Sequence, residues 1–119
     1  MSKDLQHSTA RSERRAKIRA LNDAFRTTFV GGRVMMTVGI AALTNGLRTQ
    51  VLQKVREFDA FDDANDPWDE HDFVSIEVDR QTVFAKIDYY DLGMRYRSDD
   101  PSDGEKTCRI MTIMLAEEH

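Results

Sequence analysis

Between Asp72 and Asp91 the chain alternates in hydropathy with a period of two, and this stretch constrains the fold more than any other. Val74, Ile76 and Val78 alternate with Phe73, Ser75 and Glu77. After Asp79-Arg80-Gln81-Thr82 the pattern resumes, with Val83, Ala85, Ile87 and Tyr89 alternating with Phe84, Lys86, Asp88 and Tyr90. Successive side chains of a strand point to opposite faces, so the segment reads as a β-hairpin with one apolar face. With Arg80-Gln81 as a two-residue turn, Val78 falls beside Val83, Ser75 beside Lys86 and Phe73 beside Asp88, and His71 comes near Tyr90. A lone hairpin is marginal in water, so its apolar face needs a cover.

The rest of the chain supplies that cover. Ser8 or Thr9 is placed to cap a helix running to about Thr28, with Ile18, Leu21, Phe25 and Phe29 as a narrow apolar stripe. Gly31-Gly32 ends it and permits a reversal. RVMMTVGI then reads as a strand, with Val34, Met36, Val38 and Ile40 on one side. Thr44 or Asn45 opens a second helix, whose Leu47, Val51, Val55 and Phe58 share one face. CRIMTIML, after the polar loop SDDPSDGEK, is a strand apolar on both sides, which places it centrally in the sheet or beneath a partner chain. The expected architecture is α+β: two helices packed on one face of a mainly antiparallel sheet of about four strands, formed by residues 9–119 behind a flexible tail at residues 1–8. A chain of 119 residues has room for one core.

Between the second helix and the hairpin lies EFDAFDDANDPWDEH. With Asp72 it carries eight carboxylates and no Lys or Arg. Such a density of like charge repels itself, so the segment is a candidate recognition surface for a basic partner. Its candidate binding residues are Asp62, Asp63, Asp66, Trp68, Asp69, Glu70 and His71. Asp66-Pro67 is a turn former, with Trp68 as a hydrophobic lid. Asp66, Asp69, Glu70, His71 and Asp72 also offer oxygen and imidazole ligands. The spacing, however, fits no calcium loop, and there is no HExxH motif. No metal is expected there, only a solvated or cap-forming loop.

A second candidate site lies on the hairpin face away from the helices. There His71, Lys86, Asp88 and Tyr90, with Asp72 adjacent, are residue types that transfer protons. The plain alternative is a solvated face with cross-strand ion pairs such as Glu77 with Lys86. No GxxxxGK[ST] or GxGxxG is present, so no cofactor is expected. Cys108 is the single cysteine, which excludes a disulfide framework and fits a reducing cytoplasm. It reads as an inert buried thiol.

The N-terminus has no apolar core for a signal peptide, and the apolar run from Val34 to Leu43 is too short to span a bilayer. From Met1 to Val30 there are seven Lys/Arg against three acids, but no helix-turn-helix pattern follows. Nucleic acid is therefore not the expected partner. A protein is, together with a homodimer that covers part of the second sheet face.

The segments IRALNDAFR, GGRVMMTVGIAAL, VREFDAFDDANDP, EHDF, FAKIDYYD and TIMLAEE, in this order, resemble a bacterial family known as domain of unknown function 3768. Where that family's pattern has a glycine after EHDF, this chain has Val74. The resemblance implies an alphaproteobacterial origin, often on plasmids or other mobile elements, and brings no activity, cofactor or catalytic residue. Small acidic accessory proteins in that setting often oppose host defence systems. The expected function is a small intracellular interaction protein acting through the acidic loop and adjoining sheet face on a protein partner, with a protein that handles nucleic acid as one candidate. The alternative is a small enzyme or metal-dependent activity centred on His71, Asp72, Lys86, Asp88 and Tyr90.

Overall fold

The computed structural model describes the backbone of residues 3–119 and the side chains from Thr9 onward. In chain order the elements are α1 (Lys3–Thr28), β1 (Arg33–Met36), a one-turn α2 (Val38–Ala41), α3 (Asn45–Glu57), β2 (Phe73–Val78), β3 (Gln81–Tyr90) and β4 (Cys108–Leu115). A 3-10 turn, Ala116–Glu118, ends the chain. The strands form one sheet in the order β1-β4-β3-β2. The β2–β3 and β3–β4 pairs are antiparallel and β1–β4 is parallel. The architecture is thus α+β with a mixed sheet and two long helices, and CRIMTIML is an internal strand.

Alternation in the hairpin decides what the helices cover. Val74, Ile76, Val78, Val83, Ala85 and Ile87 are all buried, and they join Met111 and Ile113 of β4 under Ile18 and Phe25 of α1 and Val51 and Val55 of α3. Thr44 caps α3, its side-chain oxygen accepting the Leu47 N–H at 3.2 Å. The reversal after α1 needs its glycines: Gly31 sits at φ +109°, and a Cβ on Gly32 would stand 2.5 Å from the Arg109 carbonyl oxygen and 2.7 Å from the Phe25 ring.

Several expectations are corrected. Helix α1 starts at Lys3, ahead of the expected cap at Ser8 or Thr9. Part of the tail expected at residues 1–8, namely residues 1 and 2, lies outside the described residues. The strand expected through Ile40 stops at Met36, and α2 turns back toward β4, where Glu118 accepts the Thr37 hydroxyl at 2.6 Å and the Gly39 N–H at 3.0 Å. The hairpin turn is Asp79-Arg80, both at positive φ (51° and 65°), the geometry of a tight I′ turn. Phe73 therefore pairs with Lys86, Ser75 with Phe84 and Val78 with Gln81. This register differs from the expected one by two residues. An even slip keeps every side chain on its expected face, which is why the core residues stand although their partners change. Glu77 consequently accepts from Thr82 rather than meeting Lys86. Cys108 is half-buried rather than buried.

The face away from the helices is half-exposed. Phe73 and Phe84 lie 5.0 Å apart by ring centroid, and His119 stands edge-on to both. Met114 is buried beside Phe84, while Ile110 and Thr112 remain half-open.

Candidate functional site

The acidic segment is built onto α1. Two polar residues of that helix, Asn22 and Arg26, are buried, and Arg19 and Asp23 beside them are half-buried. Asn22 is the hub. Its amide donates to the Tyr89 hydroxyl at 2.7 Å and to the Glu70 carbonyl at 2.9 Å, while its side-chain oxygen accepts from Arg109 Nε at 2.8 Å. Tyr89 in turn donates to the Glu70 carboxylate at 3.0 Å. Donors therefore run in one direction, Arg109 to Asn22 to Tyr89 to Glu70, with a cation at one end and an anion at the other. The Arg109 guanidinium also lies 5.1 Å over the Tyr89 ring. Burial pushes the Tyr89 phenol pKa upward, so it remains a neutral donor, and burial lowers that of Arg109.

Beside this chain sits His71. Its Nδ1 is 2.8 Å from Asp23 Oδ1, and its Nε2 faces Asp66 Oδ2 at 3.5 Å and Asp69 Oδ1 at 3.8 Å. The imidazole stacks on Phe61, centroids 3.8 Å apart and the rings nearly parallel. The Arg26 guanidinium also lies over the Phe61 ring, 5.0 Å from its centroid, and binds Asp23 at 3.0 Å and the Phe58 carbonyl at 3.2 Å. Its Nε is buried without a hydrogen-bond partner among the described residues. Asp66 is buried and accepts the backbone N–H groups of Glu70 and His71. Arg19 closes the set with a 2.6 Å ion pair to Asp69. Asp72 is half-buried, and desolvation followed by the nearby Glu70 charge raises its pKa.

The two candidate groups read from the sequence are thus separated. His71 has φ +56° and Asp69 φ +57°, so the backbone re-aims just before β2 and carries the imidazole to the helix side of the sheet. It does not approach Tyr90. Lys86 and Asp88 pair with each other at 3.6 Å on the open face. Of the loop residues, Asp66, Asp69, Glu70 and His71 come together against α1. Asp62 is local, its carboxylate accepting the Ala64 and Asn65 N–H groups at 2.9 Å. Asp59 and Asp63 have no ion pair or side-chain hydrogen bond among the described residues. Trp68 is no lid: it is exposed, with Arg15 5.6 Å over its ring.

Sequence reasoning missed Arg19, Asn22, Asp23, Arg26, Phe61, Tyr89 and Arg109 as parts of the site. A signal existed. Asn22 and Arg26 follow Ile18 at spacings of four, on the stripe that buries, and Arg109 stands alone inside an apolar strand.

Among the described residues, Asp66, Asp69 and His71 could together hold a metal ion, since their ligand atoms lie within 4.8 Å of one another. Clefts open elsewhere, one between Thr27, Phe29, Leu52 and Arg56, another beside Arg80, Leu115 and Glu117, and His71 lines neither. Among the described residues, no helix is long and apolar enough to cross a membrane.

A family model described as Protein of unknown function (DUF3768) matches residues 36–118. The chain belongs to that family. The matched span holds the whole acidic segment and the hairpin, whereas Arg19, Asn22, Asp23 and Arg26 of α1 precede it. No curated protein and no solved structure matches the chain.

Proposed function

We propose that this is a small, non-catalytic protein of the cytoplasm that captures a basic protein surface through its acidic loop. One observation carries the reading: the loop is anchored at its root, while its outer carboxylates are left unmatched. Asp66, Asp69 and Glu70 are consumed by bonds to the backbone, Arg19 and Tyr89, which fix the loop on α1. Asp59, Asp62, Asp63 and Trp68 are exposed on that fixed loop. A pre-ordered patch loses little entropy on docking, and unmatched charge speeds encounter with an opposite surface. A protein that handles nucleic acid has such a surface, and the mobile-element setting implied by the resemblance makes a host defence component a concrete instance.

The test is capture from the native host at low and moderate salt with wild type and an Asp59→Asn, Asp63→Asn, Trp68→Ala variant. Wild type should retain a basic protein that salt releases, and the variant should fold and lose it. Equal capture by both sinks the proposal.

A second reading, a metal-dependent activity, rests on the His71 geometry. With Nδ1 engaged by Asp23, Nε2 is the nitrogen that faces Asp66 and Asp69, and a carboxylate behind an imidazole is a common way to orient a metal ligand. Arg19 already neutralises Asp69, which favours the interaction reading. Melting with added zinc, manganese, magnesium or calcium discriminates, because a bound ion stabilises by mass action. No shift is expected, and a rise of several degrees reversed by chelator would favour the metal.

A further inference from the structure

The two edges of the sheet are finished differently. At the β2 edge, Ser75 and Glu77 present polar side chains, and Lys54 reaches across to the Glu77 carbonyl at 2.8 Å. Polar, covered edges of this kind resist pairing with other chains. The β1 edge is bare. Thr37 donates its N–H to the Ile113 carbonyl, so by alternation the N–H and C=O groups of Val34 and Met36 point away from β4. Those groups have no partner among the described residues. Around them lie Val30, Met35, Met36 and Val38, exposed by 74%, 53%, 45% and 84%, which are four of the seven large apolar side chains exposed among the described residues. Unpaired backbone together with clustered apolar surface marks a site of strand addition.

Charge identifies the occupant. Arg33, at the start of β1, is exposed and has no ion pair among the described residues. At the other end of the strand, Glu118 is fixed by the Thr37 hydroxyl and the Gly39 and Leu115 N–H groups, an anion with no cation beside it among the described residues. Within one chain these charges belong to opposite ends of β1. We propose that β1 pairs antiparallel with β1 of a second copy about a two-fold axis at Met35, joining two sheets into one of eight strands. Val34 then faces the partner's Met36, and the reverse, so the outward groups of all four residues are matched. Arg33 falls opposite the partner's Thr37 and therefore beside the partner's Glu118, and symmetry repeats the pair. Gly31-Gly32, without side chains, leaves room where the partner's α2 begins.

The two copies of Met35 would form a non-hydrogen-bonded pair with Cα atoms about 4.5 Å apart, within disulfide reach. Light scattering on the full chain should give a dimer at high micromolar concentration. Met35→Lys, which sets like charges opposite each other at an exposed position, should weaken it by about tenfold or more, and should not lower the melting temperature at a dilution where wild type is also monomeric. Arg33→Glu should weaken it likewise and Arg33→Lys should not. In a Cys108→Ser background, Met35→Cys should oxidise to a covalent dimer, and Glu77→Cys on the opposite edge should not. A strict monomer overturns the proposal. So does a dimer that survives both Met35→Lys and Arg33→Glu, or one that Met35→Cys does not link.

Discussion

The acidic segment divides into two halves of equal charge. Glu57, Asp59, Asp62 and Asp63 form the first, and Asp66, Asp69, Glu70 and Asp72 the second. The first half bonds only to its own neighbours: Glu57 accepts from Gln53 one turn earlier in α3, and Asp62 closes its own turn. The second half is bound to residues far away in sequence, through Arg19, Asn22 and Tyr89. What separates them is not acidity but what the neighbouring element offers. Helix α1 presents donors to the second half's anchoring residues, whereas over the first half its Arg26 meets the Phe58 carbonyl and no carboxylate, so identical chemistry becomes an anchor in one place and a free surface in the other. A run of carboxylates thus has no single role to be read from its composition.

The anchor breaks most severely at Asn22. Leucine there fits the apolar stripe but removes the donor to Tyr89 and Glu70 and the acceptor for Arg109, leaving a buried cation short of its partner. Unmet buried groups of this kind cost about 1–3 kcal/mol each, so Asn22→Leu should lose about 3 kcal/mol or more by urea unfolding. A loss under about 1 kcal/mol would show that the relay is incidental to the anchor.

Asp66 comes next. Asp66→Ala deprives the Glu70 and His71 N–H groups of their acceptor and should cost about 2 kcal/mol, whereas Asp66→Asn keeps one oxygen and should cost less. The substitution should also change the fluorescence of Trp68, which lies between Asp66 and Asp69 in the chain. Unchanged emission with unchanged stability would erase the distinction between the halves.

That distinction was only partly legible in the sequence. Periodicity locates the hairpin, Thr44 or Asn45 marks the start of α3, and the Val51–Val55 stripe names its buried face, because each depends on neighbours within a few residues. The anchor depends on pairs 48 to 87 residues apart, such as Asn22 with Glu70 and with Arg109. Local pattern carries no information about such pairs. For His71 the reason is local: strict alternation puts it on the open face, and the left-handed backbone at Asp69 and His71 interrupts that alternation. After Gly32 the strand spacing continues through Val38 and Ile40, whereas the strand itself stops at Met36 and Glu118 accepts the Gly39 N–H within α2.

Asp72 sharpens the comparison by its pH dependence. Burial and the Glu70 charge raise its pKa above the ordinary 3.8, so the folded state holds this proton more tightly than the unfolded chain does. By linkage, the stabilising effect is present below pH 3.8 and is lost as pH rises through the folded value, leaving a half-buried carboxylate that costs stability at neutral pH. Asp72→Asn should therefore melt higher than wild type at pH 7, and the gap should close in acid. Glu118 has the opposite sign. Hydrogen bonding by Thr37 lowers its pKa, so its contribution is present above 4.5 and fades as pH falls further.

The smallest expected effect belongs to the outer half. Asp59→Asn with Asp63→Asn removes two exposed charges that bond to nothing else among the described residues, so stability should move by no more than about 0.5 kcal/mol. The direction should be upward at low salt, since the remaining carboxylates then repel less. The gain should vanish as the Debye length shrinks toward about 3 Å near 1 M salt. Thermal melts of the double variant across a salt series read both features. A salt-independent loss would mean that Asp59 or Asp63 is engaged in the fold like Asp66, and the loop would then have no free charge to offer a partner. A small, salt-sensitive gain is the signature of carboxylates retained against the interest of stability, which is the physical condition for their being a recognition surface.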